Sequence, residues 1–123
     1  MFKVVVLIKR RSGMSMEDFM EYYETQHAPL AVSRVPNFKR YVRHYIRPYG
    51  EDIYSGNPEA PYDVLTEIWF DDATDFARGM AYLEDPETAA IIGADEEMLF
   101  EKKSINFMLM EDRESSLEVQ PAP

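Results

Sequence analysis

The sequence predicts an α+β domain whose elements follow one another as β-α-β-β-α-β. Three features point there. Four short runs, at 2–10, 38–48, 64–70 and 104–112, are β-branched or alternate between apolar and polar residues. Apolar residues recur at helical spacing after the first run and again after the third. Gly, Pro, Asn and Ser cluster at most of the boundaries. Two helical regions on one face of a four-stranded antiparallel sheet make the ferredoxin-like arrangement.

The first strand, FKVVVLIKR (2–10), runs into the turn RSGMS. Ser15 followed by Asp18 resembles a capping box, and Met16, Phe19, Met20, Tyr23, His27 and Leu30 then form one apolar stripe. Pro29 is expected to disrupt this helix near its C-terminal end, and VPN at 35–37 leads into the next strand. In that second strand Phe38, Arg40, Val42, His44 and Ile46 share one face, and Lys39, Tyr41, Arg43, Tyr45 and Arg47 share the other. The first set is expected under the helices. The second, polar but rich in aromatics, is expected to line a wet cavity between two sheets packed face to face, as in a closed two-subunit barrel.

Residues 49–63 carry Gly, Pro and Asn throughout and read as a lid or access loop. The third strand, VLTEIWF (64–70), ends at Asp71 and Asp72, which open a helix bearing Phe76, Met80 and Leu83. Asp85-Pro86 starts a further short helix, and Asp95 is expected to cap one more turn carrying Met98, Leu99 and Phe100. SINFMLMED (104–112) is the fourth strand. The domain is thus expected over 1–112, with a polar tail at 113–123.

A chain of 123 residues with 46% hydrophobic composition suits one domain, and its small size favours covering a further face with a second copy. The absence of cysteine removes disulfides, thiolate nucleophiles and sulfur-ligated metals, and suits a reducing compartment. The N-terminal apolar run precedes its basic residues and is too short to span a bilayer, so no membrane association is expected and the chain reads as cytoplasmic. A net charge of −10 argues against nucleic acid as a partner. Residues 25–50 nonetheless contain no acid and hold Arg34, Lys39, Arg40, Arg43 and Arg47, either a solvated face or a wall for a small anion.

His27 ordinarily titrates near neutrality and can take and return a proton without a cofactor; equally, it can be a core histidine satisfied by a backbone carbonyl. Tyr41 can donate a hydrogen bond to an enolate or can be a rim tyrosine. Asp95 can orient His27 or simply cap its helical turn. With two histidines and no HExxH spacing, no metal site is expected. Neither glycine-rich phosphate motif occurs, nor does GxSxG, and no cofactor is expected.

VLIKRRSGMSMEDFMEYYETQHAPLA, VPNFKRYV, TEIWFDD, EDPETAAIIGADEEMLF and FMLMED together resemble the EthD family of dimeric α/β-barrel proteins, over roughly residues 3–111. The resemblance implies a homodimer acting without metal or organic cofactor on a small hydrophobic or aromatic substrate. Members are associated with breakdown of ethers and hydrophobic compounds beside oxygenases, and relatives include fungal polyketide dehydratases and methylmuconolactone methylisomerase. His27 and Tyr41 match the helix histidine and second-strand tyrosine of the isomerase-like pattern. The isomerase's cysteines are absent, and Ile68 stands where one would fall. The expected catalytic set is His27, Tyr41 and Asp95, with Tyr23, Arg43, Tyr45, Ile68 and Phe100 binding substrate. Two functions fit: a cofactor-free lyase or isomerase, and a non-catalytic accessory protein that binds a hydrophobic compound for an oxygenase.

Overall fold

In the computed structural model, which describes residues 1–49 and 60–118, the elements are β1 (Phe2–Ile8), α1 (Met16–Tyr22), a π-helical turn (Tyr23–His27), α2 (Ala28–Arg34), β2 (Arg40–Tyr45), β3 (Val64–Phe70), α3 (Ala73–Glu84), α4 (Pro86–Leu99), a 3-10 turn (Lys102–Ser104) and β4 (Asn106–Leu109). The strands form one antiparallel sheet ordered β2-β3-β1-β4, the ferredoxin-like order. Most of the expected lid at 49–63 lies outside the described residues. Among the described residues no helix is long and apolar enough to cross a membrane.

Register fixes the two faces, because residues paired across antiparallel strands share a side. Val4, Val6, Ile8, Val64, Ile68 and Phe70 point to the helices, where Phe19, Tyr23, Ala28, Leu99 and Phe100 complete the buried core. Tyr41 pairs with Ile68 and Tyr45 with Val64, so both tyrosines lie on this helix side. The expectation for β2 is thereby reversed: Arg40, Val42 and His44 take the open face beside Trp69, Glu67 and Leu65. Alternation separates two sets of side chains but does not say which is covered. The helices supply that answer: Phe19 meets the Tyr45 ring edge-on at 6.1 Å, and Tyr23 gives the Tyr41 hydroxyl a polar neighbour. Phe38 precedes the regular strand and packs on Tyr41 and Phe70, so it lies under the helices as expected while Arg40, Val42 and His44 of its set do not.

The Ser15 hydroxyl accepts from Asp18 N–H as expected and opens α1. Pro29 does not end the helix, which continues to Arg34. The ring removes one N–H donor and would crowd the carbonyl of Thr25 in a regular α-helix. Instead the preceding turn widens to π geometry, with the Ala28 N–H donating to the Tyr23 carbonyl. One residue is thereby inserted into the apolar stripe. Beyond His27 the buried positions are Ala28 and Ala31 rather than Leu30, while Met20 is exposed.

Asp72 caps α3 by accepting from Asp75 N–H, and Asp85 caps α4 by accepting from Thr88 N–H. Pro86 opens α4, where its missing donor has no partner to lose. That helix runs unbroken through Gly93 to Leu99, so Asp95 is an interior residue and caps nothing. At Gly79 the helix passes so near the sheet that an added Cβ would lie 2.7 Å from the fully buried ring of Phe70. Gly79→Ala is expected to lower stability by about 1–3 kcal/mol, read as an earlier urea midpoint with an unchanged slope.

Candidate active site

Between the helix side of the sheet and the helices of the same chain lies a cavity of 460 Å³. It is walled by Val6, Ile8, Phe38, Ile68, Ile92 and Phe100, and His27, Tyr23, Tyr41, Thr66, Glu96 and Lys102 bring polar atoms to it. It therefore sits within one subunit, not between two sheets as expected.

His27 ends the π-helical turn, where the inserted residue keeps its ring on the inner side of the helix pair. The ring is buried and meets Tyr23 and Phe100 edge-on at 5.4 and 5.0 Å. Its Nδ1–H donates to Asp95 Oδ2 at 2.7 Å, and the Tyr22 hydroxyl donates to Asp95 Oδ1 at 2.6 Å. Asp95 reaches both because α4 is continuous and packs against the π-helical turn. A carboxylate on Nδ1 holds the proton there and leaves the Nε2 lone pair unprotonated. Nε2 has no hydrogen-bond partner among the described residues. Burial pulls the His27 pKa below its ordinary value of 6.5, with Asp95 opposing in part, so the ring is neutral at pH 7.

The Tyr23 hydroxyl lies 2.8 Å from Thr66 Oγ1 and 3.4 Å from the Tyr41 hydroxyl. Burial raises both tyrosine pKa values, that of Tyr41 strongly, so each keeps its proton and can donate it in a hydrogen bond. Glu96 follows Asp95 in sequence and lines the cavity; burial raises its pKa, and Lys102 opposes that shift.

Of the residues expected at the site, His27 and Asp95 form one cluster, joined by Tyr22, while Tyr23, Tyr41, Ile68 and Phe100 line the cavity. Arg43 and Tyr45 do not belong to that lining. Arg43 forks onto Glu24, with Nε–Oε2 at 2.9 Å and Nη2–Oε1 at 2.7 Å, and its guanidinium covers the Tyr41 ring at 4.7 Å. The Tyr45 hydroxyl donates to the same Glu24. A carboxylate inside the chain thus neutralises the cation expected to receive an anionic ligand, and holds its own proton below the ordinary range by virtue of Arg43. Sequence reasoning missed Tyr22, Thr66, Glu96 and Lys102. Of these only Glu96 had a visible signal, as Asp95's neighbour in ADEE. Among the described residues no group of three His, Asp or Glu side chains is gathered to hold a metal ion.

Solved structures share this fold at low sequence identity. An EthD family protein from Bacillus halodurans aligns with a TM-score of 0.62 at 21% identity, covering 92% of this chain and 99% of that one. A dimeric protein of unknown function with a ferredoxin-like fold, from Bacteroides fragilis, aligns at 0.53 and 17% identity, covering 89% and 94%. SnoaB, a cofactor-independent oxygenase from Streptomyces nogalater, aligns at 0.50 and 16%, covering 96% and 100%. No curated protein sequence matches the chain. The model of the EthD domain matches residues 11–103, a span that holds His27, Tyr41, Asp95 and most of the cavity wall, and the chain belongs to the EthD family.

Proposed function

We propose that this protein is a cytoplasmic, cofactor-independent proton-transfer enzyme acting on a small hydrophobic or aromatic carbonyl compound. The observation that carries the reading is the His27–Asp95 pair at 2.7 Å beside a largely apolar cavity of 460 Å³. Nε2 of His27 removes a proton from the carbon beside the carbonyl, and the imidazolium so formed is stabilised by Asp95. The electron pair moves onto the carbonyl oxygen, where Tyr41 donates a hydrogen bond to the enolate. Elimination or rearrangement completes the reaction. The family membership supports a small-molecule site of this kind.

The aliphatic and aromatic walls also suit simple storage of a hydrophobic compound, the accessory-protein reading. Phenylacetone in deuterium oxide separates the two. An enzyme exchanges the protons beside the carbonyl faster than buffer does, followed by proton NMR; binding without faster exchange leaves only the carrier.

The chain is further proposed to act as a homodimer through the open sheet face. That face carries Val5, Val42, Leu65 and Trp69, and the Trp69 indole N–H is buried without a partner among the described residues. The dimeric Bacteroides fragilis protein of similar fold supports this. Sedimentation at micromolar concentration is expected to give about twice 14.4 kDa, and Val42→Glu is expected to give monomer through like charges brought face to face. A monomeric wild type would contradict the dimer while leaving the cavity, which lies within one chain, intact.

A further inference from the structure

On a regular α-helix two residues as far apart in sequence as Tyr22 and His27 point about 140° away from each other. Here both meet one carboxylate. The Tyr22 hydroxyl donates to Asp95 Oδ1 at 2.6 Å, and the His27 Nδ1–H donates to Asp95 Oδ2 at 2.7 Å. The π-helical turn at Tyr23–His27 absorbs one residue, so Tyr22 and His27 stand as residues four apart do on an α-helix, separated by about 40°. Among the described residues these two groups alone donate to the Asp95 side chain, one to each oxygen. Accepting from Tyr22, the carboxylate raises that tyrosine's pKa above its ordinary 10.0, so the hydroxyl keeps the proton it donates.

Resting on the proton-abstraction reading above, we propose that Tyr22 is a positioning residue for the His27–Asp95 pair. Its hydroxyl pins one carboxylate oxygen so that the other is held on Nδ1, and the π-helical turn is the device that brings it there. A carboxylate held by one donor can turn about its Cβ–Cγ bond, whereas one held through both oxygens must break a charge-assisted hydrogen bond to do so. Tyr22 is half-buried, with its ring packed against the core, so loss of the hydroxyl alone frees Asp95 without unpacking the helix. The other titratable or charged groups near the pair are Tyr23 on the same turn, Glu96 on α4, Lys102 on the 3-10 turn and Tyr41 on β2, all lining the cavity, while Arg11 acts on Tyr22 from the turn after β1. None of these donates to the Asp95 oxygens among the described residues. The proton on Nδ1, and with it the lone pair that Nε2 turns to the cavity, therefore depends on Tyr22 as well as on Asp95.

Tyr22→Phe keeps the ring and removes only the hydroxyl, so thermal melting of the variant is expected close to wild type. Nitrogen NMR of the ligand-free variant is expected to show part of the neutral His27 ring with its proton on Nε2. The ring's titration midpoint is expected to fall below that of wild type, since a carboxylate free to turn toward water favours the imidazolium less. In an Asp95→Asn background the same substitution is expected to add far less, because Tyr22 acts through that carboxylate. Exchange on phenylacetone is expected to fall by about 10- to 100-fold, the scale on which an oriented histidine loses function with an outer hydrogen-bond partner. An unchanged tautomer and midpoint in Tyr22→Phe would reduce Tyr22 to packing and overturn the proposal. A midpoint that rises while the proton stays on Nδ1 would overturn it as well, since the hydroxyl would then only dilute the Asp95 charge. Equal shifts in the two backgrounds would overturn the route through Asp95. A wild type that shows the tautomer response to Tyr22→Phe yet exchanges no protons would overturn the base and leave Tyr22 positioning a ligand-binding histidine.

Discussion

His27→Gln is expected to lower the rate of proton exchange on phenylacetone by about 10²- to 10⁴-fold, because the amide cannot take a proton that the imidazole takes readily. Gln is the informative replacement. The ring is buried between Tyr23 and Phe100, so Ala would remove both the base and a packed surface, and lost activity would be confounded with a void. Gln keeps most of the volume and a polar end for Asp95. Thermal melting of the variant should stay close to wild type while exchange collapses. A variant that melts far earlier yet still exchanges would make His27 a packing residue.

Asp95→Asn is expected to cost about as much, since a similar change in a histidine–carboxylate pair elsewhere costs around 10⁴-fold by misplacing the proton between the ring nitrogens. The amide can offer N–H to Nδ1, which moves the proton to Nε2 and removes the lone pair from the cavity. Tyr22 loses its charged acceptor in the same substitution. The pH dependence has a definite sign. Exchange requires neutral His27, so the wild-type rate rises with pH through a pKa below 6.5 and then levels. Asp95 raises that pKa and burial lowers it, so Asp95→Asn moves the rising limb to lower pH even as the plateau falls. Stability follows the same linkage: the unfolded chain binds a proton at His27 more readily than the folded one, so this group's contribution is lost as pH falls below 6.5.

Much of this was legible in the sequence because it rests on local pattern. Ser15, Asp72 and Asp85 cap helices where their spacing placed them. The four strands follow β-branched or alternating runs, and their order gives the sheet. What stayed hidden depends on partners distant in the chain. Tyr41 turns to the helices because Tyr23 and Thr66 await its side of the sheet, a fact absent from the alternation of β2 itself. Arg43 looked free because Glu24 lies on another element, and their fork forms only when α1 and its π-helical turn cross β2. Asp95 was expected to cap a separate turn carrying Met98, Leu99 and Phe100; instead α4 runs on through it and delivers the carboxylate to a histidine 68 residues away. The π-helical turn had one trace, Pro29, whose ring demanded either an end or a wider turn.

The central claim, that Asp95 fixes His27 as a neutral base with its lone pair toward the cavity, is tested most directly by nitrogen NMR of the imidazole ring across a pH titration. The account predicts a proton on Nδ1, an unprotonated Nε2 at pH 7 and a midpoint below 6.5. A proton on Nε2 at neutral pH, or a ring still charged at pH 7, would contradict it.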